Sequence, residues 1–199
     1  MNRTWLIVAS ALALLVVAGT ATGIYAFLRF KTFYAPSDSM APTIKARDVF
    51  LVDRFAYRTD PPHRGDIVVF MPPIRSSSPF FKRVVAVPGD RISISGGKTR
   101  LNDLPLDERR YTREPTGFDL AIHDYALWTD GTRLDPAYAM IPPRAAWTAP
   151  DRVPRGCYVV LGDNRNNSED SHVWGFLCPG RPAPDGVTGA QELVGRVVR

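Results

Sequence analysis

Ser78-Pro79-Phe80-Phe81-Lys82-Arg83-Val84-Val85-Ala86-Val87-Pro88-Gly89-Asp90 reads as one apolar strand, entered through Ser-Pro and left through a Pro-Gly turn. Two cations interrupt it. Side chains alternate along a strand, so Lys82, Val84 and Ala86 share one face while Phe81, Arg83, Val85 and Val87 share the other. One of the two cations must therefore face inward. Arginine keeps its charge almost anywhere, whereas a buried lysine can lose its proton because desolvation lowers its pKa. A neutral lysine is a base, able to take the proton of a serine hydroxyl held within about 3 Å. Taken alone, the run is explained as well by a Lys82 that snorkels at a strand edge.

Similar short β-type runs occupy 49–53, 66–70, 91–95, 158–161 and 193–198, separated by Pro61-Pro62, Pro72-Pro73 and Gly96-Gly97. No long amphipathic helix lies between them. The expected fold is therefore mainly β, with an antiparallel barrel-like or sandwich-like domain over 32–106 and 155–199. Between 107 and 154 the texture changes to prolines and aromatics, Trp128 and Trp147 among them, with little alternation of polar and apolar positions. This segment reads as an insertion, either a long surface loop or a small cap beside the active site. Neither internal repeats nor low-complexity tracts are visible.

Residues 1–31 form the remaining part. No charged residue occurs from Trp5 to Leu28, and that length exceeds the roughly 20 apolar residues a helix needs to cross a bilayer. A cleavable secretory leader is the competing reading, since Ala9, Ala11, Ala13, Ala18 and Ala21 supply small residues; the run is longer than the roughly 7–15 residues of a leader's apolar region, which favours a retained anchor. Arg3 on one side and Arg29 and Lys31 on the other leave the orientation undecided by charge. The 199 residues carry 25 Lys and Arg against 20 Asp and Glu, a net charge of +5. These cations are scattered, with no basic run interleaved with aromatics, so the excess suits anionic lipid headgroups and no nucleic-acid partner is expected. Cys157 and Cys178 form no CxxC pair, which sets zinc and dithiol redox chemistry aside. They are either buried thiols or, if the domain lies outside the cytoplasm, a bridge closing a loop of about 20 residues that contributes roughly 3 kcal/mol.

Familiar catalytic signatures are missing. Neither a GxSxG elbow nor an HExxH helix occurs, and Gly96-Gly97-Lys98-Thr99 ends like a phosphate-binding loop but has Ile92 where the first glycine is needed, so it reads as a turn between strands. His63, His123 and His172 have no spacing that suggests a metal site or a triad and read as surface residues. Two other segments hold more. In Tyr34-Ala35-Pro36-Ser37-Asp38-Ser39-Met40-Ala41-Pro42-Thr43, prolines stiffen the backbone on either side of two serines, although alone such serines are ordinary turn residues. In Val160-Leu161-Gly162-Asp163-Asn164-Arg165-Asn166-Asn167-Ser168-Glu169-Asp170-Ser171-His172, a strand enters a dense polar turn that can satisfy itself or can position a neighbouring lysine.

Together the segments resemble the type I signal peptidases, the bacterial leader peptidase family. The resemblance rests on Pro36-Ser37-x-Ser39-Met40-x-Pro42-Thr43, Arg64-Gly65-Asp66-Ile67-Val68-Val69-Phe70, Lys82-Arg83-Val84 with Pro88-Gly89-Asp90, and Gly162-Asp163-Asn164-Arg165-x-Asn167-Ser168-x-Asp170-Ser171 followed by Trp174-Gly175-Phe176. Four motifs in the right order are far more specific than any one of them. They span nearly everything from Tyr34 onward and leave 107–154 without detailed cover.

The resemblance implies a membrane-bound serine endopeptidase that cleaves signal peptides from exported preproteins, without cofactor or metal. It selects Ser39 as nucleophile, Lys82 as general base, and Ser37 with the Ser39 amide as oxyanion hole. It further implies that Ser168 hydrogen-bonds the lysine and that Asp170 supports it, within the loop of Gly162, Asp163, Asn164 and Arg165. Small pockets for alanine at the substrate's first and third positions, a monomeric state, and a domain on the outer face of the inner membrane come with it. Two departures stand out. Ala86 replaces a usual glycine, and His172 replaces the arginine that pairs with the aspartate, exchanging a permanent cation for one that ordinarily titrates near pH 6.5. Two rival readings are a specialised relative that matures one dedicated substrate, such as a pilin-like subunit, and a catalytically silent peptide-binding module.

Overall fold

The computed structural model describes residues 3–74, 76, 78–112, 114–136, 138–181 and 191–198. It opens with helix α1 (Arg3–Arg29), whose 27 residues extend about 40 Å, more than the roughly 30 Å of bilayer hydrocarbon. The apolar stretch Ile7–Arg29 is not buried by the rest of the chain, as expected of a span, and only its C-terminal end meets the domain, where Tyr25 packs edge-on against Phe55 at 5.8 Å between ring centres. The chain passes without a break into strand β1 (Phe30–Tyr34). There Arg29 forks onto the buried Asp53 carboxylate, with Nη2 2.6 Å from Oδ2 and Nε 3.0 Å from both oxygens, locking the end of the helix to the first sheet.

The other strands are β2 (Val49–Asp53), β3 (Ile67–Phe70), β4 (Phe80–Ala86), β5 (Ile92–Ser95), β6 (Lys98–Leu101), β7 (Leu104–Pro105), β8 (Leu120–His123), β9 (Ala126–Thr129), β10 (Thr132–Arg133), β11 (Val159–Leu161) and β12 (Leu193–Val198). They form two antiparallel sheets, ordered β1-β2-β12-β3-β4-β11 and β10-β9-β8-β5-β6-β7. Each of the six expected runs is a strand, with edges moved by one residue at most. Both sheets are open among the described residues, so the architecture is sandwich-like and not a closed barrel.

One core cluster takes Val85 and Ala86 from β4, Val159 and Leu161 from β11, and Ile92, Ile94, Leu120, Ile122 and Leu127 from the second sheet, so a single apolar interior spans both. The Cys157–Cys178 disulfide lies in this cluster. Strands β8–β10 fall inside 107–154, and β8 pairs with β5. Their tight turns carry the backbone signature of two-residue hairpins: Asp124 and Tyr125 have φ of 53° and 58°, Asp130 and Gly131 of 50° and 73°. Besides α1, the helix that matters for the site is the single turn α2 (Ser171–Trp174), capped by Asp170.

Candidate active site

Strand β4 is buried on both faces, which settles where its two cations point. The reading that one of them faces inward understates the structure: Lys82 and Arg83 are only 4% and 5% exposed. The segment that carries the two serines covers the Lys82 side, and the polar loop after β11 covers the Arg83 side. Arg83 donates to Asp163 through Nε at 2.7 Å and Nη2 at 2.6 Å, and to the Gly65 carbonyl at 2.7 Å, so this charge is fully paired. No such carboxylate holds Lys82. Its Nζ lies 3.0 Å from Ser39 Oγ, and Ser37 Oγ lies 3.3 Å from the same atom. Burial lowers the Lys82 pKa from its ordinary 10.5, against the opposing pull of the Asp170, Glu169 and Asp163 charges.

Local backbone bonds make the serine segment rigid. The Ala35 amide donates to the Asp48 carbonyl at 2.9 Å, Arg47 to Ala35 at 2.8 Å, and Ala41 to Asp38 at 2.9 Å, while Asp38 Oδ1 accepts the Ala46 amide at 2.8 Å. The polar loop then grips it from the other side. Asn164 donates its backbone N–H to the Ser39 carbonyl and its side-chain Nδ2 to the Asp38 carbonyl, both at 3.1 Å. At Gly162 the approach is so close that an added Cβ would sit 2.2 Å from Ser168 Oγ and 2.5 Å from the Ser39 carbonyl oxygen.

Asp170 is fully buried and works through the backbone: Oδ2 accepts the Gly162 amide at 2.8 Å, and Oδ1 faces His172 Nδ1 at 2.8 Å. His172 is therefore not a surface residue. It is half-buried, stacks on Phe118 at 4.1 Å between ring centres, and occupies the aspartate-pairing position with a hydrogen bond of its own. Ser168 differs from its expected role. Its buried hydroxyl makes no hydrogen bond among the described residues, so the bond to Lys82 is not formed in this geometry, although Ser168 lines the same cleft. Arg165 points away from the cleft and pairs with Glu108, a residue that no motif singled out.

Ser39 and Lys82 open into a cleft of about 450 Å³, whose walls include Ser78, Pro79 and Phe80 before and within β4, and Asn167, Glu169 and Val173 on the far side. A cleft of this size with one neutralisable lysine against one serine can accommodate an extended peptide and carry out acyl transfer on it. Asn167 and Glu169 stand inside a quoted motif, whereas the contribution of Pro79 and Val173 to the walls has no sequence signal.

The sequence family described as Signal peptidase, peptidase S26 matches residues 5–197. The chain is 35% identical to a signal peptidase I of Leptolyngbya laminosa over 151 residues, 72% of this chain and 60% of that protein. It is 35% identical to a probable signal peptidase I-1 of Synechocystis sp. over 180 residues, 87% of this chain and 77% of that protein. Signal peptidase I U of Bacillus subtilis is 32% identical over 83% of this chain and 75% of its own length. A crystal structure of a signal peptidase I from Enterococcus faecalis is 28% identical, covers 60% of this chain and 91% of that one, and has a TM-score of 0.40. With the family match running from within α1 into β12, this chain belongs to the signal peptidase family, peptidase S26.

Proposed function

We propose that this chain is a membrane-anchored serine endopeptidase that removes signal peptides from exported preproteins, with Ser39 as nucleophile and Lys82 as general base. The observation that carries the mechanism is the 3.0 Å approach of Lys82 Nζ to Ser39 Oγ at a site where burial lowers the lysine pKa. Neutral Nζ takes the proton of Ser39 as Oγ attacks the scissile carbonyl, forming the C–O bond and placing negative charge on the carbonyl oxygen. That oxyanion accepts hydrogen bonds from the Ser39 amide and from the Ser37 hydroxyl, which swings from Ser39 Oγ to reach it. The intermediate collapses as the protonated Lys82 gives its proton to the departing amine. Water then attacks the acyl-serine with Lys82 again accepting the proton, the bond from the acyl carbon to Ser39 Oγ breaks as Lys82 returns that proton to Oγ, and the cleaved signal peptide leaves with a free carboxylate.

The anchor supports the same reading. Ser39 lies about ten residues beyond the end of α1, which keeps the nucleophile near the bilayer surface where the cleavage site of a signal peptide emerges. The test is incubation of purified full-length protein with a preprotein, followed by sequencing of the mature N-terminus. Ser39→Ala and Lys82→Ala should each abolish processing, and Ser37→Ala should lower it by about 100-fold. Turnover by Lys82→Ala close to that of the native protein would sink the assignment.

A further inference from the structure

The segment 107–154 lies outside the family's motifs, yet one turn of it meets two buried arginines beside the site, Arg165 and Arg83. The turn is closed on itself: the Glu108 carbonyl accepts the amides of Tyr111 at 3.0 Å and Thr112 at 2.9 Å, and the Thr112 hydroxyl at 3.0 Å. From one end, the Glu108 carboxylate meets Arg165 as a forked pair, Oε2 accepting from Nη1 at 3.0 Å and Oε1 from Nη2. The Arg165 side chain is 1% exposed and that of Glu108 11%, and Thr99 Oγ1 adds a third hydrogen bond to Oε2 at 2.5 Å. Arg165 in turn donates Nε to the Gly162 carbonyl at 3.0 Å, and its neighbour Asn164 holds the Ser39 carbonyl. From the other end, the Tyr111 ring covers the Arg83 guanidinium with 4.3 Å between its carbon and the ring centre. Arg83 is the residue next to Lys82.

We propose that the turn 108–112 is a positioning element for the active site, Glu108 bracing Ser39 through Arg165 and the loop 162–164, and Tyr111 bracing Lys82 through Arg83. The inference rests on the Ser/Lys reading and deepens it. A displacement of about 1 Å between nucleophile and base costs on the order of 100-fold in rate. Holding that distance calls for contacts on both partners, and a buried arginine that loses its carboxylate has no water to replace it. The segment thus does more than complete the second sheet, because a single turn ties the serine side and the lysine side to one rigid object.

The test uses the full chain in detergent and a preprotein substrate, comparing kcat and KM for Glu108→Gln, Tyr111→Leu and Tyr111→Phe, with the folded fraction measured for each. Glu108→Gln should lower kcat about 10- to 100-fold while KM stays within about twofold, since the substrate walls are untouched. Combined with Arg165→Met it should be no worse than Arg165→Met alone, because both act through one contact. Tyr111→Leu should lower kcat and move the acidic limb of the pH–rate profile upward, as Lys82 becomes better hydrated. Tyr111→Phe keeps the ring face over Arg83 and gives up only the 3.4 Å hydrogen bond from the hydroxyl to Glu108 Oε1, so it should lose less kcat than Tyr111→Leu and leave the acidic limb in place. Unchanged kcat in both Glu108→Gln and Tyr111→Leu, or a loss that only follows the folded fraction, overturns the bracing role. Ser39→Ala is run in parallel: if it is inactive while those variants turn over normally, the catalytic pair stands and the bracing alone falls; if it is active, both fall.

Discussion

The backbone N–H of Asn164 donates to the Ser39 carbonyl at 3.1 Å, so the loop after β11 holds the proposed nucleophile by its main chain and not only by its surroundings. Side chains of the loop fix the same path, Asp163 on Arg83 and Arg165 on Glu108. Gly162 is the tightest point, because it lies where the loop and the serine segment come closest.

Gly162→Ala should therefore be damaging although it adds one methyl group. The new Cβ would lie 2.2 Å from Ser168 Oγ and 2.5 Å from the Ser39 carbonyl oxygen, and neither can move without disturbing the loop or the nucleophile. We expect kcat/KM to fall at least about 10-fold and stability by about 1–3 kcal/mol. Activity assays and a thermal melt check both, and native values for the two would show that the loop yields more easily than its packing indicates.

The pH–rate profile offers a sharper view of the base. As the proposed general base Lys82 would act only when neutral, so activity should rise through mildly alkaline pH, with an acidic limb below the ordinary lysine value of 10.5 because burial lowers its pKa. Glu169 lines the cleft, and its charge favours the protonated amine. Glu169→Gln removes that pull and should shift the limb to lower pH. No shift would mean that the Glu169 charge is screened from the amine, and a shift to higher pH would mean that the limb does not report Lys82.

A buried lysine also costs stability, and the sign of that cost can be measured. Below the folded-state pKa of Lys82 both the folded and the unfolded chain bind its proton, so the penalty of burying the charge is fully present. Between that pKa and 10.5 the unfolded chain binds more protons than the folded one, so stability rises with pH and the penalty fades. Lys82→Met should thus raise the melting temperature at pH 7, by about 2–8 °C, while abolishing activity, and the gap should narrow towards pH 10. A variant less stable than the native protein at pH 7 would count against a strained amine.

Much of this was readable before any coordinates. Runs such as 49–53 and 193–198 alternate or are rich in β-branched residues and emerge as β2 and β12 with the same limits. Strand β1 was missed because its five residues follow the anchor without a turn signal. Strands β8–β10 were missed although Asp130-Gly131 is a strong hairpin signal, since its neighbours Trp128 and Arg133 break the expected alternation. Covering both faces of β4 is a tertiary event that strand periodicity cannot register, so only one of its cations was expected inside. Glu108 had no signal whatever, as its partner Arg165 lies 57 residues further along the chain.

The side of the membrane is the last point at issue, and three observations bear on it. One apolar helix precedes the domain, Ser39 follows it within about ten residues, and the proposed substrates present their cleavage site after translocation. On the proposed function, all three support an expected topology with the domain on the exported side and the N-terminal end of α1 in the cytoplasm. The Cys157–Cys178 bridge fits, because a disulfide persists where the surroundings are oxidising. With its ends 21 positions apart it contributes about 3 kcal/mol on chain-entropy grounds, so reduction should lower the melting temperature measurably. Protease added to right-side-out spheroplasts should digest the chain beyond Arg29, and the two thiols should resist alkylation until a reductant is supplied. Complete protection until the membrane is opened, with both cysteines alkylated at once, would place the domain inside and end the case for general signal-peptide cleavage.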